Sequence, residues 1–341
     1  MLKPYISKVL GLQDLSAEEA ESAMEVIMTG QATPAQIGGY LIALRMKGET
    51  VPEITGSARA MRKVVKRVQI ITNGNKLIDT AGTGGDGAHT FNISTTAAFV
   101  IAGADRKVAK HGNRSISSRC GSADVLEELG LNLNLSPDQV RTCIEKVGIG
   151  FMFAPNFHPA MKHAIGPRRE LGQRTVFNVL GPLTNPADAA YQLVGVFDPD
   201  LTHPLAEVLG ELGGKAAFVV HSHHGLDELT TCGPNQVSHL KDGKVTTFEL
   251  DAKDLGLRVC SPQQLQGGDP RENAQILRAI LSMEDDSPRQ DVVLLNAAAA
   301  LAAESGDLQE ELAKARQSLV SGAALEKLNA LISTSQSFPS D

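Results

Sequence analysis

The sequence lacks the features of secreted, membrane-spanning and disulfide-stabilised proteins. It has only 4 cysteines among 341 residues, without the CxxC spacing of a metal site or the density of a disulfide scaffold. It contains no run of about 18 apolar residues, and its N-terminus has no apolar signal-peptide core. We therefore expect a cytoplasmic protein with no membrane contact and with reduced thiols at Cys120, Cys143, Cys232 and Cys260.

An excess of positive charge is absent as well. The formal net charge of -7 argues against a protein whose main task is to neutralise a nucleic-acid backbone. Hydrophobic residues make up 42% of the chain and charged residues 21%, which are ordinary values for a globular protein with room for two structural regions. Any anionic ligand must therefore be bound by a local group of positive side chains.

Capping signals predict helices in the N-terminal part of the chain. Ser16 with Glu19 and Thr33 with Gln36 match the capping box, in which the N-cap hydroxyl and a side chain three residues later satisfy free backbone N–H groups. We expect three or so helices between residues 3 and 67. The second capping box begins a helix with an apolar stripe, which needs a helical subdomain or a dimer face as its partner.

From about residue 76, short apolar runs alternate with helical patterns, as in a parallel α/β sheet. Strands are predicted at 76–79, 107–110, 191–197 and 216–221, helices at 94–103 and 123–129 and from residue 136, and a hairpin at 236–250 around Asp242-Gly243. We also expect a helix at 158–171 that is kinked or broken at Pro167, a helical region at 271–332 and a loose tail after it.

The densest functional signal is the glycine-rich stretch Gly82–Gly87, which lies between a predicted strand and a helix whose first turn is Asn92–Thr95. Glycines let backbone N–H groups approach an anion, and a helix N-terminus favours negative charge. The stretch also fits G-x-G-x-x-G, but the acidic residue that a dinucleotide site needs at the end of the next strand is missing. A phosphate site is therefore favoured over a dinucleotide site and over a purely structural turn.

Two further segments are predicted to lie near that loop. Lys110–Ser118 follows the next strand, so it opens on the same carboxyl edge of the sheet. Its two cations, Lys110 and Arg114, can bind phosphate oxygens, and serine hydroxyls can donate hydrogen bonds. Asp227 and Glu228 follow a later strand and offer hard oxygen ligands for Mg²⁺, although adjacent acids are usually solvated surface.

Other polar groups admit both structural and functional interpretations. His221, His223 and His224 lack the spacing of a zinc site and fit an exposed loop better. Arg168 or Arg169, on the predicted kinked helix and facing a Gly-Pro turn, could clamp a carboxylate. A basic stripe on one helical face fits a solvated or interface surface better than a nucleic-acid site; it comprises Arg59, Arg62, Lys63, Lys66 and Arg67.

Together these segments closely resemble the anthranilate phosphoribosyltransferase family along nearly the whole chain. The matching blocks, in the family's order, are Gly82-Thr-Gly-Gly-Asp86, Asn92-Ile-Ser-Thr95, Lys110-His-Gly-Asn-Arg114, Gly121-Ser-Ala-Asp124, the 158–171 helix, Asn178–Pro186 and Asp227-Glu228. The resemblance implies an α/β fold with a central, mostly parallel sheet of the nucleoside phosphorylase and phosphoribosyltransferase type. It further implies a small helical domain (1–70, completed by helices near 155–185), a larger α/β domain (71–154 and 186–335) and a tail (336–341).

The resemblance also implies the reaction. Such an enzyme is a Mg²⁺-dependent pentosyltransferase of tryptophan biosynthesis, which moves the 5-phosphoribosyl group of 5-phosphoribosyl 1-diphosphate onto the amine of anthranilate. The phosphoribosyl diphosphate is expected to contact Gly82, Gly85, Asp86, Thr90, Asn92, Ile93, Ser94, Thr95, Lys110, His111, Gly112, Asn113, Arg114, Ser115, Ile116, Ser117, Ser118 and Ser122. Anthranilate is expected at Gly82, Asn113, His158 and Arg168, and Mg²⁺ at Ser94, Asp227 and Glu228.

Catalysis on this interpretation comes chiefly from stabilising the departing diphosphate through Mg²⁺, Lys110, Arg114 and loop amides. Asp86 completes the expected catalytic set, together with His111 as a hypothetical late proton acceptor. His89 and Cys120 depart from the family pattern, as do the histidines before the acidic pair, but no expected ligand is lost.

The resemblance implies a homodimer formed through the helical part, and an anthranilate-supplying synthase is a candidate partner. Two alternatives remain: an enzyme like pyrimidine nucleoside phosphorylase, and a non-catalytic nucleic-acid-binding relative that would use the basic stripe. The cations of Lys110–Arg114 and the acidic pair favour the transferase, because a diphosphate leaving group calls for more cation and metal than a single phosphate.

Overall fold

The structure is a computed structural model that describes residues 2–71, 76–115 and 119–339. In this part of the chain, the N-terminal segment forms α1 (Lys3–Leu10), α2 (Ala17–Met28), α3 (Pro34–Lys47) and α4 (Val51–Val64). The two predicted capping boxes begin α2 and α3. The prediction of three or so helices misses one, because Glu53 also caps a helix by accepting the Thr50 N–H at 2.8 Å.

The strands of the described residues form one mixed sheet in the order β3-β2-β1-β4-β5-β6-β7. They are β1 (Leu77–Gly82), β2 (Lys107–Gly112), β3 (Ile149–Phe153), β4 (Tyr191–Gly195), β5 (Ala216–Ser222), β6 (Asn235–Lys241) and β7 (Lys244–Leu250). Neighbours from β3 to β5 are parallel, whereas β6 and β7 are antiparallel. The mostly parallel sheet is therefore confirmed, and so is the hairpin, whose Asp242 and Gly243 have the positive φ angles of a type I′ turn.

Helices connect the strands and complete the fold. They are α5 (Ile93–Gly103), α6 (Ser122–Glu128), α7 (Pro137–Val147), α8 (Ala154–Phe157), α9 (Lys162–Leu171), α10 (Phe177–Leu183), α11 (Thr202–Glu211), α12 (Pro270–Leu281), α13 (Pro288–Ala302), α14 (Leu308–Val320) and α15 (Ala323–Gln336). Short 3-10 turns lie at Pro159–Met161, Pro199–Leu201, Ala252–Leu255 and Pro262–Leu265.

Several predicted boundaries need correction. The strand β3 was not expected, because it is a short apolar run without the alternation of a half-buried strand. The helix expected at 158–171 begins only at Lys162 and continues through Pro167, which removes one backbone hydrogen bond without ending the helix. The region 271–332 is divided by turns into α12 to α15. The expected tail is shorter than predicted, because α15 continues to Gln336, and residues 340–341 lie outside the described residues.

Side chains of the central strands alternate between two hydrophobic cores. In β5, Phe218 and Val220 belong to the core shared with α5 and α12 to α15, whereas Ala217 and Val219 belong to the core shared with α1 to α4 and α9 to α11. The N-terminal helices thus pack, through α11, against one face of the sheet. No helix within the described residues is long and apolar enough to span a membrane.

Candidate active site

The glycine-rich stretch forms a tight loop between β1 and α5. Gly84, Gly85 and Gly87 have φ angles of 67°, 81° and 71°, a region that residues with a Cβ rarely adopt. The strand β1 lies between β2 and β4 in the sheet, and all three run parallel. The loop therefore lies at the carboxyl edge of the sheet and leads into a helix N-terminus, as an anion site requires.

The acidic pair lies directly against this loop. The Gly84 N–H donates to Oδ2 of Asp227 at 2.7 Å, and the Ser94 N–H donates to Oε1 of Glu228 at 3.1 Å. A Cβ atom at Gly82 or Gly195 would overlap Asp227, so the approach depends on glycine at both positions. The predicted convergence of the glycine loop, the start of α5 and the acidic pair is therefore confirmed.

The surroundings of Asp227 and Glu228 favour the protonated forms of both carboxyl groups. Desolvation and the nearby Asp86 carboxylate raise the pKa of Asp227. Desolvation and the Asp227 carboxylate likewise raise the pKa of Glu228, and Lys110 opposes that rise. A divalent cation would relieve this repulsion, and carboxylate oxygens are ligands that Mg²⁺ prefers.

The two carboxylates can bind Mg²⁺ only if water or a substrate supplies the remaining oxygen ligands. In the described ranges, no group of three or more His, Cys, Asp or Glu side chains is arranged to hold a metal ion. Protein sites for Mg²⁺ commonly supply one or two carboxylates and take the remaining oxygens from water and substrate phosphates. Asp227 and Glu228, with the Ser94 hydroxyl beside them, match that kind of site.

Lys110 lies inside β2 and not in the loop after it, which corrects the predicted strand end. Its side chain is buried, and Nζ donates to the Thr80 carbonyl at 2.6 Å. The Thr80 hydroxyl in turn donates to the Ser94 carbonyl at 3.0 Å. Burial lowers the pKa of Lys110, while the Asp79 carboxylate acts in the opposite direction. The lysine is thus held in a desolvated position against β1, the strand that leads into the glycine loop.

A buried asparagine of the Asn178–Pro186 block, to which no sequence motif assigned an individual role, bonds to the same strands. Asn185 Nδ2 donates to Oδ2 of Asp79 at 2.7 Å and to the Ala109 carbonyl at 2.9 Å. The other carboxylate oxygen of Asp79 accepts the His111 N–H at 3.2 Å. These bonds connect the middle of β1 and β2 to the segment after α10, so Asn185 and Asp79 fix the two strands whose carboxyl ends form the site.

Two predicted histidines form a buried pair. His111 and His158 are 9% and 7% exposed, and their Nε2 atoms lie 3.2 Å apart. Burial, followed by the proximity of His158, lowers the pKa of His111 to about 3, and burial lowers the pKa of His158 to about 4. Both imidazoles are therefore neutral at pH 7, one donating and the other accepting the shared hydrogen bond.

Arg114, which the sequence predicts to bind phosphate, forms ion pairs with two acidic side chains of α6. Its Nη1 lies 3.0 Å from Asp124 and 2.7 Å from Glu127, and Asp124 also accepts the Ser115 N–H at 3.0 Å. The Ser122 hydroxyl donates to the Asn113 carbonyl at 3.3 Å. The described part of the second loop is thus fastened to the start of α6. The expected ligands Ile116, Ser117 and Ser118 lie outside the described residues.

Two arginines, one in α9 and one in the segment after it, pack against aromatic rings. Arg168 lies 4.9 Å from the centre of the Phe177 ring, and burial lowers its pKa. The expected Gly-Pro turn is wrong, because Gly181 and Pro182 lie within α10. Arg174, for which the sequence offered no motif, donates to the Gly85 carbonyl and lies 4.2 Å over the Phe197 ring.

The remaining expected contacts lie between the glycine loop and α5. Thr90 forms an isolated antiparallel bridge with Gln266, and the Asn92 amide donates to the Cys120 carbonyl at 3.3 Å. Ile93 and Thr95 are buried in the first turn of α5. His89, one of the departures from the family pattern, has a φ of 53°.

The other polar groups that the sequence singled out have protein partners. His221 Nδ1 lies 2.7 Å from the Val196 carbonyl, His223 lies 3.6 Å from Glu249 and His224 Nε2 lies 3.2 Å from the Cys232 carbonyl. In the basic stripe, Arg59 pairs with Glu211, Lys63 with Glu21 and Glu25, and Arg62 and Arg67 with Asp188. Four of the five residues in this stripe thus form ion pairs, and Arg62 also donates to the Leu183 and Leu212 carbonyls.

Comparison with known proteins agrees with this geometry. Residues 74–325 match the model of the glycosyl transferase family, a/b domain, and residues 3–64 match the glycosyl transferase family, helical bundle domain. The chain is 55% identical over 340 residues to the anthranilate phosphoribosyltransferase of Moorella thermoacetica, covering 99% of each chain. The chain belongs to the anthranilate phosphoribosyltransferase family.

Other members of this family share both the sequence and the fold. The anthranilate phosphoribosyltransferase of Acetivibrio thermocellus is 51% identical, over 99% of this chain and 98% of its own. The crystal structure from Thermus thermophilus matches with a TM-score of 0.92 at 42% identity, covering 98% and 99% of the two chains. The Saccharomyces cerevisiae enzyme in complex with PRPP and Mg matches with a TM-score of 0.90 at 30% identity, covering 99% and 98%.

The buried histidine pair predicts a loss of stability in mild acid. Because the pKa values of His111 and His158 lie near 3 and 4 in the fold and near 6.5 when unfolded, the unfolded chain binds more protons below pH 6.5. The free energy of unfolding should therefore fall as the pH falls from about 6.5 towards 4. Between pH 7 and pH 5, two such groups account for a loss of about 3 to 4 kcal/mol.

Urea unfolding at pH 7 and pH 5 measures this loss. The double variant His111→Asn/His158→Asn should lose less stability than the unmodified chain over this interval by that amount. Replacement of the exposed His203 by Asn is the control for loss of an imidazole elsewhere. Equal pH dependence in the double variant and the unmodified chain would show that the pair is not held neutral by the fold.

Proposed function

We propose that this chain transfers the 5-phosphoribosyl group of 5-phosphoribosyl 1-diphosphate to the amine of anthranilate, giving N-(5-phosphoribosyl)anthranilate and diphosphate. The observation that carries the proposal is the contact of the acidic pair with the glycine loop at Gly84 and with the first turn of α5 at Ser94. This contact places two metal-binding carboxylates beside a phosphate-binding loop. Membership of the family supplies the acceptor, and it disfavours both the nucleoside phosphorylase and the nucleic-acid-binding alternatives.

The glycine loop and the end of β2 would bind the diphosphate. When the anomeric C–O bond breaks, negative charge grows on the departing diphosphate and positive charge on the ribose. Mg²⁺ held by Asp227, Glu228 and Ser94 would supply positive charge to the diphosphate oxygens. Lys110 lies behind the loop as a desolvated cation, and its attraction for phosphate is stronger there than in water.

Arg114 would complete the positive charge around the diphosphate. Its guanidinium is partly exposed and bonded to Asp124 and Glu127, so it can exchange surface carboxylates for a phosphate at a small cost in free energy. Asp86, whose Oδ1 accepts the Ala88 N–H at 3.1 Å, stabilises a turn at the end of the glycine loop and lies near the Asp227 carboxylate. We propose a positioning role for it.

The anthranilate site would lie between the histidine pair and α9. Asn113 follows β2 directly, and His158 contacts His111 across the cleft. Arg168 is partly buried against an aromatic ring, so a planar carboxylate beside it would meet a guanidinium of reduced hydration. Because burial lowers the pKa of His111 to about 3, we propose that it can hold a departing proton only briefly.

The domain boundaries expected from the family resemblance would place the diphosphate site and the acceptor site in different domains. We propose that the helical domain consists of residues 1–70 and 155–185, and the α/β domain of 71–154 and 186–335. The side chains of α9 and α10 belong to the core of the N-terminal helices, which supports placing the acceptor residues of α9 on the helical side. The diphosphate residues lie on the sheet edge.

Turnover tests the function directly. The protein is mixed with Mg²⁺, 5-phosphoribosyl 1-diphosphate and anthranilate, and the loss of anthranilate fluorescence is followed. Asp227→Asn and Glu228→Gln should each lower kcat/KM by at least about 100-fold, because each removes a charge that holds the metal against the leaving group. Removal of Mg²⁺ with a chelator should have a similar effect.

Asp254→Asn, at an exposed turn, is the matched control and should retain full activity. Orotate, nicotinate and quinolinate are offered in place of anthranilate to test the acceptor. Consumption of one of these in preference to anthranilate would overturn the acceptor assignment. Full activity of both acidic-pair variants would remove the proposed metal site.

A second experiment tests the acceptor carboxylate. Arg168→Lys should raise the KM for anthranilate about tenfold or more, because a lysine cannot form the bidentate pair and a charged hydrogen bond contributes about 1.5 to 3 kcal/mol. The KM for the phosphoribosyl diphosphate should stay within about twofold. Arg169→Lys, on the exposed side of the same helix, is the control. A rise in the KM for the diphosphate substrate alone would contradict the assignment.

We also propose that the chain forms a homodimer through its N-terminal helices. Leu10 in α1, Leu12 shortly after α1 and Met46 in α3 are 66%, 74% and 81% exposed. The helices α1 and α3 pack against each other.

Sedimentation analysis should give a dimer for the intact chain. Leu12→Asp/Met46→Asp should shift it towards monomer, whereas Val320→Asp, at a 67% exposed position of α14, should not. A monomer in the unmodified chain would refute the proposal.

A further inference from the structure

Two thiols that are distant in sequence lie next to each other in the fold. The Sγ atoms of Cys232 and Cys260 lie 2.8 Å apart, and both residues are free cysteines. The Cys260 N–H donates to the Thr231 carbonyl at 3.4 Å, which holds the two backbones side by side. A disulfide has an S–S bond of about 2.05 Å and joins closely spaced backbones, so this pair can be bridged with a small movement.

The two sulfur atoms differ in their access to solvent. Cys260 is 7% exposed, whereas Cys232 is partly exposed, so a reagent reaches Cys232 first. Cys120 and Cys143 are buried in other parts of the fold. Since the described residues include no group of three or more metal-binding side chains, sulfur–sulfur chemistry is favoured over metal binding for this pair.

We propose that Cys232 and Cys260 are a site of reversible oxidation, at which a low-molecular-weight disulfide converts the two thiols into an intrachain disulfide. The Cys232 thiolate attacks one sulfur of the small disulfide, forms a mixed disulfide and releases one small thiolate. The Cys260 thiolate then attacks the Cys232 sulfur, forms the S–S bond and releases the second small thiolate. The protein loses two electrons and two protons, which the small disulfide gains as two thiols.

The bond would join two segments that border the proposed diphosphate site. Cys232 closely follows the acidic pair, whose next residue, Leu229, is held by the side chain of Asn296. Cys260 precedes the segment in which Leu265 accepts the Phe91 N–H at 3.0 Å. In the same segment, the Gly267 N–H donates to the His89 carbonyl at 2.9 Å. Oxidation would therefore tie the acidic loop to the chain that pairs with the end of the glycine loop.

Thiol counting and peptide mapping test the proposal on the unmodified protein. The reduced chain is incubated with excess oxidised glutathione at pH 9, because burial raises the pKa of Cys232 to about 12 and the thiolate is the attacking form. Free thiols, counted after denaturation, should fall from 4 to 2, because two of the 4 cysteines are consumed. Proteolysis should release a peptide containing Cys232 linked to one containing Cys260, and dithiothreitol should separate them.

Variants distinguish this bond from nonspecific oxidation. Cys260→Ser should stop at a glutathione adduct on Cys232, whereas Cys143→Ala should still form the intrachain bond. An unmodified chain that keeps all its thiols would overturn the proposal. So would one that keeps a stable glutathione adduct on Cys232, or one that forms links through Cys120 or Cys143.

Hydrogen exchange tests whether the bond fastens the two segments. Amide exchange at residues 229–235 and 257–268 should slow on oxidation, while exchange in the β6–β7 turn serves as the internal reference. Equal exchange in the oxidised and reduced protein would overturn the claimed connection between the acidic loop and the glycine loop. This measurement needs no substrate, so its result is independent of the proposed function.

Discussion

The site depends on two glycines, whose lack of a side chain leaves space for the loop that carries Asp227 and Glu228. Gly82 ends β1, Gly195 ends β4, and the two are direct neighbours in the parallel register. A Cβ at either position would overlap Asp227, so a larger residue would move the acidic loop off the sheet edge. The glycines therefore do more than shape a flexible turn. They set the distance between two carboxylates and a phosphate-binding loop, on which the proposed chemistry depends.

Charges of both signs lie in environments that disfavour them. Desolvation raises the pKa of Asp227 and Glu228, and it lowers the pKa of Lys110. An isolated buried charge is costly, and an opposite charge placed beside it recovers much of that cost. A complex of Mg²⁺ with a diphosphate would bring a cation to the two acids and an anion to the lysine. A single ligand would therefore offset the free-energy cost of burying charges of both signs.

Features that neighbouring residues encode are predicted correctly from the sequence, whereas several contacts between residues that are distant in sequence are not. Capping boxes, the Asp242-Gly243 turn and the strand-to-helix glycine loop are encoded by neighbouring residues, and the structure confirms each of them. The residues that the sequence could not reveal act across long separations. Asn185 lies in a block that the sequence singled out, but its bond to Asp79 joins residues that are distant in sequence. Arg174, which bonds to Gly85, has no distinctive local pattern. The thiol pair belongs to the same class, because only the folded chain brings Cys232 next to Cys260.

The proposed site draws on residues that belong to two hydrophobic cores. The residues proposed to bind the diphosphate lie at the edge of a sheet that shares one core with α5, whereas α9 and α10 share the core of the N-terminal helices. Arg174 crosses this boundary, since it follows α9 yet donates to Gly85 and stacks on Phe197. Its guanidinium therefore connects the chain after α9 to the glycine loop, because it donates to the Gly85 carbonyl while it lies over the Phe197 ring.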